Sequence, residues 1–395
     1  MKKITKIMLG CATAGAFAPL AHAQSQVTIY GILDEGIMYQ SNTGGATGGK
    51  KVFLDSTGGI NGSRWGLTGS EDLGAGLKAI FTLESGINLN SGAAAQGGTL
   101  FGRQIFVGMK SDKYGSLTFG RQYDMMFYFG QPLTSAGSQA GSAPFLHPGD
   151  LDNTGNTIRI NNAVRYMSAN YAGLTFGGEY SVGGVAGNTT ANSGYSLGFS
   201  YVRGPVLFGA AFEYFKNPTS ATAGSGLFTD NANGATTLSQ SLNKGYASAA
   251  AYQTAIVGGG YTIGPVTLTT SYSNTQYANL GTTFVDKTAR FDNIDFAAKY
   301  LYNPYLAFSV AYDYLKGHQV TMVNGNAVGN QHYNQVSLMA DYLLSKRTDV
   351  YLEGAWQRAS GTSSTGAAAV ADIANLGASS NNHQFLLRAA LRHRF

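Results

Sequence analysis

Apolar residues recur at every second position along most of this chain. From Val206 to Tyr214, the residues Val206, Phe208, Ala210, Phe212 and Tyr214 share one face and Glu213 lies on the other. Leu306, Phe308, Val310, Tyr312 and Tyr314 oppose Ser309 and Asp313 in the same way. Val336, Leu338, Ala340, Tyr342 and Leu344 repeat the pattern against Gln335, Ser337 and Asp341. So do Leu77, Phe81, Leu83 and Ile87 against Lys78, Thr82 and Glu84. A period of two sends alternate side chains to opposite faces of a strand, whereas a helix would scatter these residues around its circumference. The pattern therefore predicts strands with one apolar, aromatic face and one polar, charged face.

The punctuation between these strands alternates in length. Short turns fall at Asp72-Leu73-Gly74, Asp112-Lys113-Tyr114-Gly115, Asn170-Tyr171, Arg203-Gly204-Pro205, Gly264-Pro265, Asn303-Pro304 and Lys346-Arg347. Longer stretches rich in Gly, Ser, Asn, Thr and Ala occupy 40–62, 88–101, 124–156, 183–193, 217–245, 278–288, 317–331 and 359–381. Seven turns alternating with eight loops imply sixteen strands, mostly about 9 to 15 residues long, enough to cross a bilayer at the usual tilt. Hydrocarbon cannot satisfy an open sheet edge, so such strands must close on themselves. The expected fold is all-β: a transmembrane antiparallel β-barrel of sixteen strands, with short periplasmic turns and long extracellular loops. Tyr114, Tyr171, Tyr201, Tyr261, Tyr302 and Tyr305 sit beside the short turns, where an aromatic girdle would meet the headgroups.

Two charges break the alternation. Glu35 shares the apolar parity of Val27, Ile29, Leu33 and Ile37, which predicts a bulge at Gly36 or a subunit contact. Arg121 shares parity with Leu117 and Phe119, and an arginine at the bilayer midplane of a barrel costs roughly 2–4 kcal/mol. Either a bulge at Gly120 turns it inward or the strand has already ended. At the far end Leu387, Ala389, Leu391, His393 and Phe395 share one face, with Arg388, Arg392 and Arg394 opposite.

The first residues bear on the compartment. Lys2, Lys3 and Lys6 precede an apolar stretch from Ile7 to Leu20 and then Ala21-His22-Ala23, the layout of a secretory signal peptide over 1–23. The barrel would occupy 24–395. Cys11 is the single cysteine and would leave with the leader, so neither disulfides nor a thiolate metal site is expected. Removing the leader takes three lysines and no acid from totals of 26 basic and 21 acidic residues, a balance too even for a nucleic-acid partner. No run of about 18 apolar residues follows the leader, so membrane-spanning helices are excluded.

Four stretches carry a resemblance: Val27-Thr28-Ile29-Tyr30-Gly31-Ile32-Leu33-Asp34; Ser63-Arg64-Trp65-Gly66-Leu67-Thr68-Gly69-Ser70-Glu71-Asp72-Leu73-Gly74-Ala75-Gly76-Leu77-Lys78-Ala79; Gly115-Ser116-Leu117-Thr118-Phe119-Gly120-Arg121-Gln122; and Leu391-Arg392-His393-Arg394-Phe395. Together they resemble the general diffusion porins of Gram-negative outer membranes. The resemblance implies a homotrimer of sixteen-stranded barrels in which the third long loop, here Asp124 to Asn156, folds into the pore. It implies an arginine ladder on the wall, matched by Arg64, Arg103, Arg121 and Arg159, facing acids on that loop, for which Asp124, Asp150 and Asp152 are the candidates. Parity adds Arg165 and Lys78 to the wet face and supports Arg64 and Arg159, while the alternation around Arg103 is poor. The Phe129 to Pro148 core of the loop holds no carboxylate, a departure from more acidic versions of the family. Phe395 is matched as the assembly signal read by the barrel-assembly machinery. Lipid, lipopolysaccharide and small hydrophilic solutes are the further partners implied.

The expected function is a water-filled channel for passive diffusion of small hydrophilic solutes and ions with a mild anion preference, because charge on the wall biases ion passage. The alternative is a solute-specific channel for a sugar or an anionic metabolite, with Tyr128, Phe129 and Phe145 as a stacking track. No enzyme, cofactor or metal is expected. Gly44 to Lys50 mimics a phosphate loop but is followed by Lys51, and no nucleophile elbow occurs. His147, His318, His332, His383 and His393 show no metal-ligand spacing.

Overall fold

The computed structural model describes residues 26–44, 48–138, 143–217 and 241–395. The leader assigned to 1–23 lies outside them. Sixteen strands form the barrel wall: β1 Gln26–Gln40, β2 Arg64–Gly74, β3 Leu77–Gly86, β4 Gln104–Ser111, β5 Gly115–Gln122, β6 Ile160–Met167, β7 Leu174–Ser181, β8 Gly194–Arg203, β9 Val206–Lys216, β10 Ala251–Ile263, β11 Val266–Ala278, β12 Thr288–Asn303, β13 Leu306–Gly317, β14 Gln331–Leu343, β15 Thr348–Gly361 and β16 His383–Arg394. Each pairs antiparallel with its neighbour, and β16 returns to β1 from Ile32↔Arg394 to Gln40↔Leu386, closing the ring. Gly31 and Phe395 exchange both backbone hydrogen bonds at that junction.

Alternation sorts the side chains as expected. On β11, Leu268 and Tyr272 point outward while Thr269, Ser271, Ser273 and Thr275 are buried inside. The outer face thus presents hydrocarbon to lipid, and the inner face presents hydroxyls and charges. Short turns join strands at one end. The turn at Gly264-Pro265 needs a left-handed φ of 54°, which glycine adopts without strain. Tyr114, Tyr171, Tyr261, Tyr302 and Tyr305 are exposed near this end, and Tyr201 is half-buried.

The two parity breaks resolve differently. The β1–β16 register runs unbroken through Gly36, so the bulge expected there does not form and Glu35 stays half-buried on the outer face. At Gly120, φ is +141° and the pairing with β6 shifts between Gly120 and Gln122, the irregularity anticipated.

Long loops occupy the other end; the first three and the last three are named L1 to L3 and L6 to L8, with L4 and L5 between. Several fold inward. Leu151 of L3, Leu242 and Tyr246 of L5, Phe284 of L6, Val320 and Val328 of L7 and Ala369 of L8 share one buried apolar cluster, which caps part of the lumen.

Candidate functional site

L3 (residues 123–159) descends into the barrel as short helical turns, Met126–Gly130, Gln131–Leu133, Ser135–Ser138, Ala143–Phe145 and Pro148–Asp150. Its apolar residues explain why it stays there. Met126 and Phe129 pack on Ala211 of β9 and Ile256 of β10. Phe145 and Leu146 pack on Ala297, Ala311, Met339 and Tyr351 of β12 to β15, together with Ile60 of L1 and Ala374 of L8. Phe129 and Phe145 are buried, so they are packing groups and offer no exposed stacking track.

Hydrogen bonds complete the docking. The Met125 N–H donates to Ser196 Oγ at 3.1 Å, Tyr252 OH to the Leu151 carbonyl at 2.7 Å, and Gln335 Nε2 to the carbonyls of Pro144 and Leu146 at 2.9 and 3.0 Å. Ser273 Oγ donates to Asp152 Oδ2 at 2.5 Å. Asp295 on β12 accepts the Ser135 N–H at 2.5 Å. One loop is tied to strands β8, β10, β11, β12 and β14. Every tie replaces water on a buried polar group, which would otherwise carry its full desolvation cost.

Of the candidate acids of L3, Asp152 joins His147 to Ser273 of the wall, while Asp124 and Asp150 brace the loop itself. Asp124 accepts from the Phe127 N–H at 3.0 Å and Asn153 Nδ2 at 2.5 Å. Asp150 accepts from the Gly155 and Thr157 N–H groups at 2.7 and 3.2 Å, and from Thr157 Oγ1 at 2.5 Å. Burial pushes Asp124 up to about 6; burial, with the Asp152 charge, pushes Asp150 up to about 7. All three carboxylates are buried away from the open lumen.

Water reaches a cavity of about 950 Å³ between L3 and the β1–β5 side of the wall. Arg64, Arg103 and Arg159 line it, with Lys244 of L5 and, among the described residues, a single acid, Asp372 of L8. L1 contributes Ser56 to Asn61, held inward by buried contacts: the Asn61 N–H donates to Asp34 Oδ2 at 3.2 Å, and Arg388 Nη2 donates to Asp34 Oδ1 and to the Asp55 carbonyl, each at 2.9 Å. Gly59 passes so close to Asp34, Tyr351 and Arg388 that a Cβ there would collide with all three.

Behind the arginines stands Glu84 of β3. It accepts Arg103 Nε at 2.7 Å, Tyr123 OH at 2.6 Å and Tyr30 OH at 2.9 Å, with Arg64 Nε 3.8 Å away. Among the described residues no acid pairs with Arg159: Nη1 donates to the Thr157 carbonyl at 3.2 Å, while Nε makes no hydrogen bond. Burial, then the neighbouring Arg103 guanidinium, lowers Arg159 to about 10. It remains a cation at neutral pH.

Three other basic candidates lie elsewhere. Arg121 pairs opposite outward-facing Ile105, and its guanidinium donates to the Gly102 carbonyl at 2.9 Å and Asn161 Oδ1 at 2.5 Å rather than lining the cavity. Arg165 is buried beneath L3, donating to the Tyr123 carbonyl at 3.1 Å and Tyr128 OH at 2.9 Å, with its guanidinium over the Phe106 and Tyr128 rings. Lys78 stands opposite Lys110 near the short-turn end. Sequence reasoning did not single out Lys244 or Asp372, because nothing local to a loop encodes where it returns. Glu84 was visible on the polar face of β3, but its partners were not.

A family model described as Gram-negative porin matches residues 10–362. An outer membrane porin protein of Bordetella pertussis is 30% identical over 377 residues, covering 89% of this chain and 94% of its own length. Outer membrane porin protein 32 of Delftia acidovorans is 34% identical over 239 residues, 58% of this chain and 63% of its own. Among solved structures, an anion-selective porin from Comamonas acidovorans shares the fold with a TM-score of 0.68 at 21% identity, over 94% of this chain and 100% of its own. An outer membrane protein of Vibrio cholerae in its trimer form gives a TM-score of 0.61 at 14% identity, over 94% and 99%.

Proposed function

This chain belongs to the Gram-negative porin family, and from that premise we propose that its throat passes small anions in preference to cations. It is an outer-membrane protein that forms a water-filled channel for passive diffusion of small hydrophilic solutes. The observation that carries the selectivity is the imbalance around the cavity: Arg64, Arg103, Arg159 and Lys244 against Asp372 and the Glu84 that stands behind Arg103 and Arg64. Unit charges a few ångströms from a solvated ion are worth about 1 kcal/mol each even in water, so a small excess shifts ion occupancy measurably. The similar Comamonas porin is described as anion-selective, which agrees in sign.

The test is the reversal potential of the purified protein in a planar bilayer under a salt gradient. A sign showing anion preference supports the reading, and clear cation preference overturns it. In this reading Arg64, Arg103 and Arg159 bias the throat. Arg121, Arg165 and Lys78 are peripheral to it, and Asp124, Asp150 and Asp152 shape L3. Glu35, outward and with Oε1 unpartnered, suits a subunit contact in a homotrimer; gel filtration with light scattering would report three chains. Removal of residues 1–23 on secretion would leave Gln24 as the first residue in N-terminal sequencing. Lipopolysaccharide and an assembly machinery reading β16 complete the proposed partners.

A further inference from the structure

We propose that His147, Asp295 and Asp313 form a divalent-cation site that fastens L3 to the barrel wall. The three come from separate elements: His147 from L3, Asp295 from β12 and Asp313 from β13, where the two aspartates are register partners. Their donor atoms lie within 4.8 Å of one another, and all three residues are buried. His147 Nε2 is 3.3 Å from Asp295 Oδ2 and 3.7 Å from Asp313 Oδ2. Donors on a tetrahedral zinc with bonds of about 2.1 Å stand about 3.4 Å apart, so the spacing suits one ion between them.

The hydrogen bonding argues the same way. His147 Nδ1 meets Asp152 Oδ2 at 2.7 Å, the outer carboxylate that commonly orients a metal-bound imidazole. With the ring proton on Nδ1, the Nε2 lone pair points at two carboxylate oxygens. His147 Nε2 has only its 3.3 Å approach to Asp295 Oδ2, an oxygen that already accepts the Ser135 N–H, and Asp313 Oδ2 accepts Asn293 Nδ2 at 3.0 Å. Asp313 Oδ1 and Asn293 Oδ1 make no hydrogen bond, although all of these residues are at most 3% exposed. Among the described residues no lysine or arginine forms an ion pair with Asp152, Asp295 or Asp313; His147 is their only basic partner. A divalent cation bound to Nε2 and both aspartates offsets two of the cluster's three carboxylate charges and takes up the unpartnered Asp313 Oδ1. One imidazole with carboxylates is a donor set for zinc, manganese or iron(II). The ligands stand 148 and 18 residues apart along the chain, so no spacing motif betrays them.

The rival arrangement is a metal-free imidazolium knot, and metal analysis separates the two. Protein extracted from outer membranes in detergent without chelator, then desalted, should carry about one equivalent of divalent transition metal per chain. Chain refolded with zinc should keep one zinc through desalting and melt at a higher temperature than chain refolded with EDTA. X-ray absorption should report one imidazole nitrogen with carboxylate oxygens. Asp313→Asn should retain about tenfold less metal, as should the outer Asp152→Asn. His383→Gln, at an exposed histidine, should retain all of it. Less than a tenth of an equivalent in both native and zinc-refolded protein, with equal melting in zinc and EDTA, overturns the site. Metal held equally by Asp313→Asn also overturns it. If Asp313→Asn does not fold, the wild-type refolding comparison decides alone.

Discussion

On the cavity side of L3, Arg159 keeps its charge with no carboxylate paired to it among the described residues, and Arg64 comes no closer than 3.8 Å to the shared Glu84. On the wall side, Asp152 and Asp295 are wrapped by serine hydroxyls, a backbone N–H and one histidine. The same classes of side chain therefore do opposite work across one loop. Where water remains, an under-neutralised charge is tolerable and its field extends into the path of ions. Where water is excluded, each charge must be satisfied locally, and the satisfaction fixes the loop. Selectivity and shape are divided between the two faces of L3.

Charge deletions on the two faces should accordingly move different measurements. Asp295→Ala, on the wall side, should cost about 3–5 kcal/mol, since it strips the partner from a buried His147 and frees the Ser135 anchor. Heat-resistance of the folded band on gels should fall, while the anion-to-cation permeability ratio stays within about a factor of two of the parent. Arg64→Ala combined with Arg159→Ala should do the reverse. At about 1 kcal/mol per charge the ratio should drop roughly thirtyfold, with heat-resistance unchanged. If that double variant also melts early, the division between the faces fails.

Tyr252→Phe sharpens the comparison without touching charge. It deletes the hydroxyl's bonds to the Leu151 carbonyl and to Glu213, and should cost roughly 1–3 kcal/mol with noisier single-channel current but unaltered selectivity. The smallest effect should come from pH. Burial, partly offset by hydrogen bonds from Ser241, raises Asp372 to about 6, so this cavity-lining acid takes up its proton as pH falls through that value. Anion preference should then rise, roughly twofold between pH 7 and 5, as that one negative charge disappears. Asp372→Asn should show the low-pH ratio throughout and lose that step.

How far the sequence could reveal this depends on whether the signal is local. All sixteen strands and their turns follow from period-two alternation, which needs only neighbours along the chain. Arg64 was recognisable by parity against Trp65 and Leu67. Arg103 precedes β4, outside any ladder, so alternation had nothing to say about it. For Glu35 parity held: the register stayed intact, the bulge at Gly36 did not form, and the acid lies outside, which leaves the subunit contact as the other reading. The acids of L3 matched a family position, yet their surroundings are set by the left-handed residues Asp150, Asn153 and Asn156, with φ of 47°, 57° and 58°, which coil the backbone around them. Lys244 and Asp372 approach the throat only because L5 and L8 fold back, a tertiary event without a local signature.

The seam between β1 and β16 constrains how such a molecule can come into being. Residues near the opposite ends of the sheet, Gly31 and Phe395, share hydrogen bonds, so the contact that completes the ring is also one of the most distant in sequence. Fifteen correctly paired strands still present two bare rims, and partial success earns little stability in hydrocarbon. Folding rate falls as such non-local pairings come to dominate. The barrel must therefore either cross the membrane while closing or have its rims sheltered until they meet, and a defect in either seam strand delays every other strand with it.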